Sequence, residues 1–169
     1  MKKKYIPLTI LILIFSIQIT YSQGPMGRTF GFGIMFGDPT GATLKFWTSR
    51  ENAFVVDVGS SYFGSIRFNG DYLWHFDAFH SQVVKLYAGP GAVVGIGEGR
   101  RYWWYKDDHE RFYFREKGDV GIGVRGIFGL NIIPKRAPLE IFLEFGVLIG
   151  IVPDFGTGVD AGVGIRFYP

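Results

Sequence analysis

The chain has 169 residues, 18 basic and 15 acidic, with no cysteine, 25 glycines and 18% aromatic residues. The absence of cysteine excludes a disulfide framework and an acylated N-terminal cysteine of the lipoprotein kind. Residues 1–22 hold three of the lysines and no acid, so the rest of the chain is neutral and offers no nucleic-acid footprint.

Lys2, Lys3 and Lys4 precede an apolar run, Leu8 and then Ile10 to Phe15, and small residues follow at Thr20 and Ser22. This is the layout of a secretory signal peptide with cleavage between Ser22 and Gln23. A retained anchor needs about 20 apolar residues, more than this run supplies. Residues 1–22 are therefore expected to be a removed signal, and residues 23–169 a single domain.

From there the chain alternates with period two, as extended strands do when successive side chains point to opposite faces. The first predicted strand, Thr29 to Gly37, sets Phe30, Phe32, Ile34 and Phe36 against Gly31, Gly33 and Met35. Gly37-Asp38-Pro39-Thr40-Gly41 is a turn by composition. The second sets Ala42, Leu44 and Phe46 against Thr43, Lys45 and Trp47, and the polar Ser49 to Asn52 ends it. The third sets Phe54, Val56 and Val58 against Val55, Asp57 and Gly59. The fourth sets Ile66, Phe68, Tyr72, Trp74 and Phe76 against Arg67, Asn69, Asp71, Leu73 and His75. The fifth, Val84 to Gly97, sets Leu86, Ala88, Ala92, Val94 and Ile96 against Lys85, Tyr87 and four glycines. Pro90 cannot donate to a ladder, so a bulge or local break is expected there.

Residues 98–117 differ, mixing seven aromatics with six basic and five acidic residues. They are expected to extend the fifth and sixth strands as a hairpin carrying Arg101, Trp103, Trp104, Arg111 and Tyr113, with its tip at Asp107 to Glu110. The sixth strand sets Val120, Ile122, Val124, Phe128 and Leu130 against Gly121, Gly123, Arg125, Gly129 and Asn131. After the basic turn Pro134 to Pro138, the seventh sets Leu139, Ile141, Leu143, Phe145 and Val147 against Glu140, Phe142, Glu144 and Gly146. In the eighth, Val159, Ala161, Val163, Ile165 and Phe167 alternate with Gly158, Asp160, Gly162, Gly164, Arg166 and Tyr168.

Eight such strands predict a barrel, either apolar inside like a secreted lipocalin or apolar outside like an outer-membrane protein. Most strand glycines share the charged face. A solvated face has no steric need of them, whereas an eight-stranded barrel is just wide enough to be filled by side chains, so long charged chains need empty positions between them. The charged face is therefore expected inside. Its polar phase carries Lys45, Arg67, Lys85, Arg125 and Arg166 with Asp57, Asp71, Glu140, Glu144 and Asp160, five of each sign, which suits a paired lumen network. With the mature N-terminus in the periplasm, short turns fall on the periplasmic side and the long hairpin outside, the usual asymmetry of such barrels. Trp47, Tyr62, Trp74, Phe76, Phe167 and Tyr168 lie at strand ends, where interfacial girdles belong.

The stretches Gly37-Asp38-Pro39-Thr40-Gly41 with Lys45-Phe46-Trp47, then Asp71-Tyr72-Leu73-Trp74-His75, and Pro138 to Glu144 resemble those of a family of small outer-membrane β-barrel proteins of unknown function. The resemblance runs through most of the mature chain in order. It implies the barrel and its location and brings no catalytic residues. The chain departs from that pattern in its aromatic hairpin and in ending on Pro169.

For catalysis the histidines are the candidates. His75 shares a face with Asp71, which suits a lumen hydrogen bond, and His80 lies in a turn. His109 beside Asp107 and Asp108 would need a serine to imitate a lipid A modifying barrel enzyme, and the hairpin has none. Metal-ligand spacing and phosphate-cradling loops are absent, since Gly-x-Gly here is strand alternation. The sequence thus predicts an all-β, eight-stranded antiparallel up-and-down transmembrane β-barrel, monomeric, in the outer membrane of a Gram-negative-type bacterium with both termini periplasmic. Its expected role is structural or surface-interacting, without enzymatic activity, metal or cofactor. The expected partners are outer-membrane lipid, lipopolysaccharide and the barrel assembly machinery. The alternatives are a lipid A modifying enzyme, a narrow pore or a lipocalin-like ligand binder.

Overall fold

Alternating side chains and short polar turns produce a chain of antiparallel hairpins in the computed structural model, which describes residues 24–97, 99–104, 111–115, 120–153 and 155–169. Side chains are described for 24–97, 120–153 and 155–169. The expected signal segment 1–22 and the expected hairpin tip lie outside the described residues. The strands are β1 (Phe30–Gly37), β2 (Thr40–Trp47), β3 (Asn52–Ser61), β4 (Gly64–Phe76), β5 (Val84–Ile96), β6 (Gly99–Trp104), β7 (Arg111–Arg115), β8 (Val120–Ile132), β9 (Leu139–Val152) and β10 (Gly156–Phe167). A single 3-10 turn, Pro25–Gly27, precedes them.

Eight strands, β1 to β5 and β8 to β10, form one ring in chain order, and β1 pairs with β10 from Phe32↔Phe167 to Gly37↔Gly162. That pairing closes the sheet, so neither end strand has a free edge. The fold is an eight-stranded antiparallel up-and-down barrel. The segment from Gly24 that leads into β1 and the residues that follow β10 lie at one end of it, with the turns around Ser49, Asp77 and Pro134. The turns around Asp38 and Tyr62 lie at the other end with the β6–β7 hairpin.

The turns have local causes. Gly37 takes φ +126, and the Thr40 hydroxyl donates to its carbonyl at 2.7 Å while accepting from its amide at 3.0 Å, which reverses the chain within four residues. The Ser49 hydroxyl accepts from the amides of Glu51 and Asn52 at the opposite end.

Pro90 breaks one ladder and spares the other. The β4–β5 pairing jumps from Asp71↔Gly91 to Trp74↔Ala88 with the register kept, while the β5–β8 pairing runs through Pro90↔Gly126 without interruption. The expected break is present, and it is not a bulge. The register shifts instead between β3 and β4 at Gly59 to Ser61, and between β8 and β9 at Ile122 and Gly123, where Ile151 of β9 is skipped.

Burial is inverted relative to a soluble barrel. Phe128, Phe145 and Val159 are 53%, 55% and 72% exposed, whereas Lys45, Arg67 and Glu140 are 0% exposed. The apolar phase of each of the eight ring strands faces outward and the polar phase inward, the reverse of the apolar interior that the lipocalin-like alternative requires.

Two expectations are corrected. Trp47 and Tyr168 do not belong to an outer girdle: both are buried inside the terminal end, because they fall on the inward phase of β2 and of the segment following β10. Tyr62 likewise turns inward, to Asp160. Trp74, Phe76 and Phe167 do face out. The long hairpin is also not a straight extension of its neighbours. Ile96 already pairs with Val120, and Gly97 at φ +85 turns the chain away. The separate pair β6–β7 touches β10 at Thr157↔Trp103 and also meets β4, which stands opposite β10 in the ring. The hairpin thus leans across the barrel mouth.

Candidate functional site

The inward phases of eight tilted strands converge on a lumen too narrow for water-separated charges, so charged side chains must meet one another. Nine of the ten sequence-predicted charges are buried there. The exception is Lys85, half-buried near the terminal end, which has no ion pair to another described residue.

Three layers follow one another along the axis. At the terminal end, the Trp47 indole donates to the Tyr168 hydroxyl at 3.1 Å, and that hydroxyl donates to Glu140. Behind them, Lys45 Nζ lies 2.9 Å from Glu140 and 3.0 Å from His75 Nε2, over the Trp47 ring. Arg166 donates to the same Glu140 oxygen at 2.8 Å and to Thr43 Oγ1 at 3.0 Å, with its guanidinium 3.8 Å from the Phe142 ring centre. One carboxylate here serves two cations.

In the middle layer Arg125 forks onto Asp71, Nε to Oδ1 at 2.8 Å and Nη2 to Oδ2 at 2.5 Å, and reaches Asp57 at 3.1 Å and Glu144 at 3.6 Å. The Tyr87 hydroxyl donates to Glu144 at 3.2 Å. The third layer centres on Arg67, bound to Asp160 by Nη1 at 3.0 Å and Nη2 at 2.5 Å, to Asn69 at 2.7 Å and to Asp38 at 3.2 Å. Arg125 also approaches Asp160 at 3.5 Å, which joins the two layers. Here two guanidiniums face Asp57, Asp71, Glu144 and Asp160, the reverse imbalance to that of the terminal layer. Asp57 Oδ1 and Arg166 Nη2 are buried without a hydrogen-bond partner, and both flank Thr43, which stands opposite Asp57 in the ladder.

Glycine makes room for these chains. A methyl group added at Gly91 would overlap the Asp71 carboxylate; at Gly129 it would meet the Tyr87 ring, and at Gly164 the Phe142 ring. Beyond Arg67 the lumen ends in an apolar cluster of Phe63, Val93 and Leu148.

Sequence reasoning missed several members. Asp38 sits in a turn outside the strand alternation, yet it accepts from the Tyr62 amide at 3.1 Å and from the Ser61 hydroxyl. Burial pushes its carboxyl above the ordinary value, opposed by those two hydrogen bonds and the Arg67 charge. His75 is in the lumen, but its partners are Lys45 and the Glu51 carbonyl, not Asp71, which Arg125 holds. Ser61 has Asp38 and Arg67 beside it and, among the described residues, no imidazole, and His80 is exposed in a turn at the other end. The positions of Arg101, Trp103 and Trp104 on β6, and of Arg111 and Tyr113 on β7, are described, but their side chains are not. His109 lies outside the described residues.

A second feature occupies the outside of the terminal end. Arg28 donates to the carbonyls of Pro134, Ala137 and Leu139 at 2.7, 2.6 and 2.8 Å, clamping the turn that carries Lys135 and Arg136. A cavity of about 510 Å³ lies between this turn, the 26–30 segment and Tyr168.

No protein-family model matches the chain, and no curated protein matches it. Among solved structures it is similar to the N-terminal β-barrel domain of Pseudomonas aeruginosa OprF, with a TM-score of 0.57 and 12% sequence identity over 83% of this chain and 96% of that one. At that identity the likeness is one of fold.

Proposed function

We propose that the protein is a small outer-membrane β-barrel of a Gram-negative-type bacterium, with a structural or surface-interaction role and a lumen plugged by charge pairs. The observation that carries this is the inversion of burial: outward Phe, Val, Ile and Leu along strands of 8 to 14 residues, around buried Arg, Lys, Asp and Glu. A spanning strand needs about 9 to 11 residues, and the β1–β10 pairing leaves the ring without a free edge to expose main-chain groups to lipid. Both termini and the short turns are assigned to the periplasm and the hairpin to the outside, where it would meet lipopolysaccharide or another surface. The last strand, with Phe167 outward, serves as the signal to the assembly machinery. The barrel acts as a monomer, without catalysis.

Cell fractionation with gel migration before and after heating tests this reading. The expected result is recovery in the outer membrane with heat-modifiable migration. Recovery as a soluble periplasmic protein would sink it.

A further inference from the structure

We propose that the periplasmic end of the seam formed by β1, β10 and β9 is a binding site for an anionic phospholipid of the inner leaflet. Lys135 and Arg136 take the phosphate, and Phe30, Phe32, Phe46 and Phe167 line the path of an acyl chain. This rests on the membrane location proposed above.

Three independent features meet at this place. The first is the cavity of about 510 Å³, whose walls include Arg28, Phe30, Lys135, Arg136 and Tyr168. The second is its charge. Among the described residues no Asp or Glu lines the cavity, Lys135 and Arg136 are exposed, and neither has an ion pair to another described residue. Arg28 adds a third cation, bound to three carbonyls and lying 5.2 Å from the Tyr168 ring centre. Arg28, Lys135 and Arg136 thus place three cations on the cavity wall.

The third feature is apolar. Phe30 belongs both to the cavity wall and to a patch of outward rings, with centroid distances of 4.8 Å from Phe30 to Phe46, 6.1 Å from Phe30 to Phe32, and 5.8 Å from Phe32 to Phe167. The cationic cavity therefore opens onto a lipid-facing aromatic wall. An acidic peptide or free phosphate would use the charges and leave that wall idle; a phospholipid uses both. The Arg28 clamp holds the basic turn in place before any lipid arrives, which lowers the ordering cost of binding.

The test uses the full barrel, refolded in detergent and titrated with dioleoyl phosphatidylglycerol or dioleoyl phosphatidylcholine under native mass spectrometry. One phosphatidylglycerol should be retained in preference to phosphatidylcholine, and K135Q/R136Q should weaken its retention roughly ten- to thirty-fold. Phe30→Ser should weaken both lipids, and inorganic phosphate should not displace the bound lipid. Equal retention of the two lipids, a preference surviving in the double variant, or displacement by phosphate would each overturn the site. Heat-modifiable migration and insertion into vesicles of the same samples separate the two readings. A barrel that inserts without lipid preference refutes the site alone, and one that does not insert refutes the membrane reading and the site with it.

Discussion

Arg125 and Asp71 are joined by two parallel hydrogen bonds of 2.8 and 2.5 Å in a layer where carboxylates outnumber guanidiniums. The two positions are therefore not equivalent. Replacing Arg125 with Leu leaves Asp57, Asp71 and Glu144 without their common cation and should cost about 3 to 5 kcal/mol, as removal of one partner from a buried pair does. Arg125→Lys keeps the charge and loses the fork, so its cost should be smaller. Asp71→Asn relieves the acidic excess and should be the mildest of the three. Urea unfolding midpoints of the refolded variants measure the order. Equal losses for Arg125→Leu and Asp71→Asn would show that the imbalance has no energetic weight.

Neighbouring positions on β5 and β8 separate the inner face from the outer. Gly91 pairs with Arg125, and Pro90 pairs with Gly126. An added methyl at Gly91 falls on the Asp71 carboxylate and lies 3.2 Å from Arg125 Cγ, while one at Gly126 has nothing within 4 Å. Gly91→Ala should destabilise by about 1 to 3 kcal/mol through overpacking. Gly126→Ala, on the outer face, should stay within about 0.5 kcal/mol. Thermal or urea unfolding of the two variants gives the comparison, and similar midpoints would argue against a tightly filled lumen.

Strand parity was enough to place Lys45, Arg67, Arg125, Glu140 and Arg166 on one face, because a period of two admits no drift along a strand. Parity also placed Trp47 and Tyr168 on that face, and their position at strand ends misleadingly suggested a girdle. The choice of partners was less legible. Which carboxylate meets Arg125 depends on register across β4, β5, β8 and β9, and one strand cannot encode that; hence His75, which shares a strand face with Asp71, bonds instead to Lys45 from β2. Asp38 and Tyr62 reach the lumen from turns, where alternation has no meaning. The hairpin's direction depends on the positive φ of Gly97, one backbone choice that no side-chain pattern records.

Closure of the barrel does not involve the hairpin, since Ile96 pairs directly with Val120. Replacing residues 98–118 with Asn-Gly should therefore preserve heat-modifiable migration and leave the unfolding midpoint within the small range of surface changes, about 0.5 kcal/mol. Contact of β6 with β10 and β4 adds one further expectation. External protease should reach the 61–64 and 153–156 turns more readily in the shortened protein. A shortened chain that fails to fold would make the hairpin part of the barrel's framework.

The order of the layers predicts how the lumen responds to being opened from one end. Trp47→Ala removes the indole over Lys45 and its bond to Tyr168, but the next layer remains, with Lys45 and Arg166 both on Glu140 at 2.9 and 2.8 Å. Behind it stand Arg125 and Arg67, each bound to carboxylates from other strands. On the proposed plugged lumen, the three successive charge layers are the barrier, and removal of one aromatic does not lower it. In planar bilayers the wild-type protein and Trp47→Ala should both lack steady conductance steps, while the variant loses some stability through its lost indole contacts. Steady steps from the wild-type barrel would overturn the plugged lumen. Steps from Trp47→Ala alone would locate the seal at the terminal aromatics and not in the charge layers.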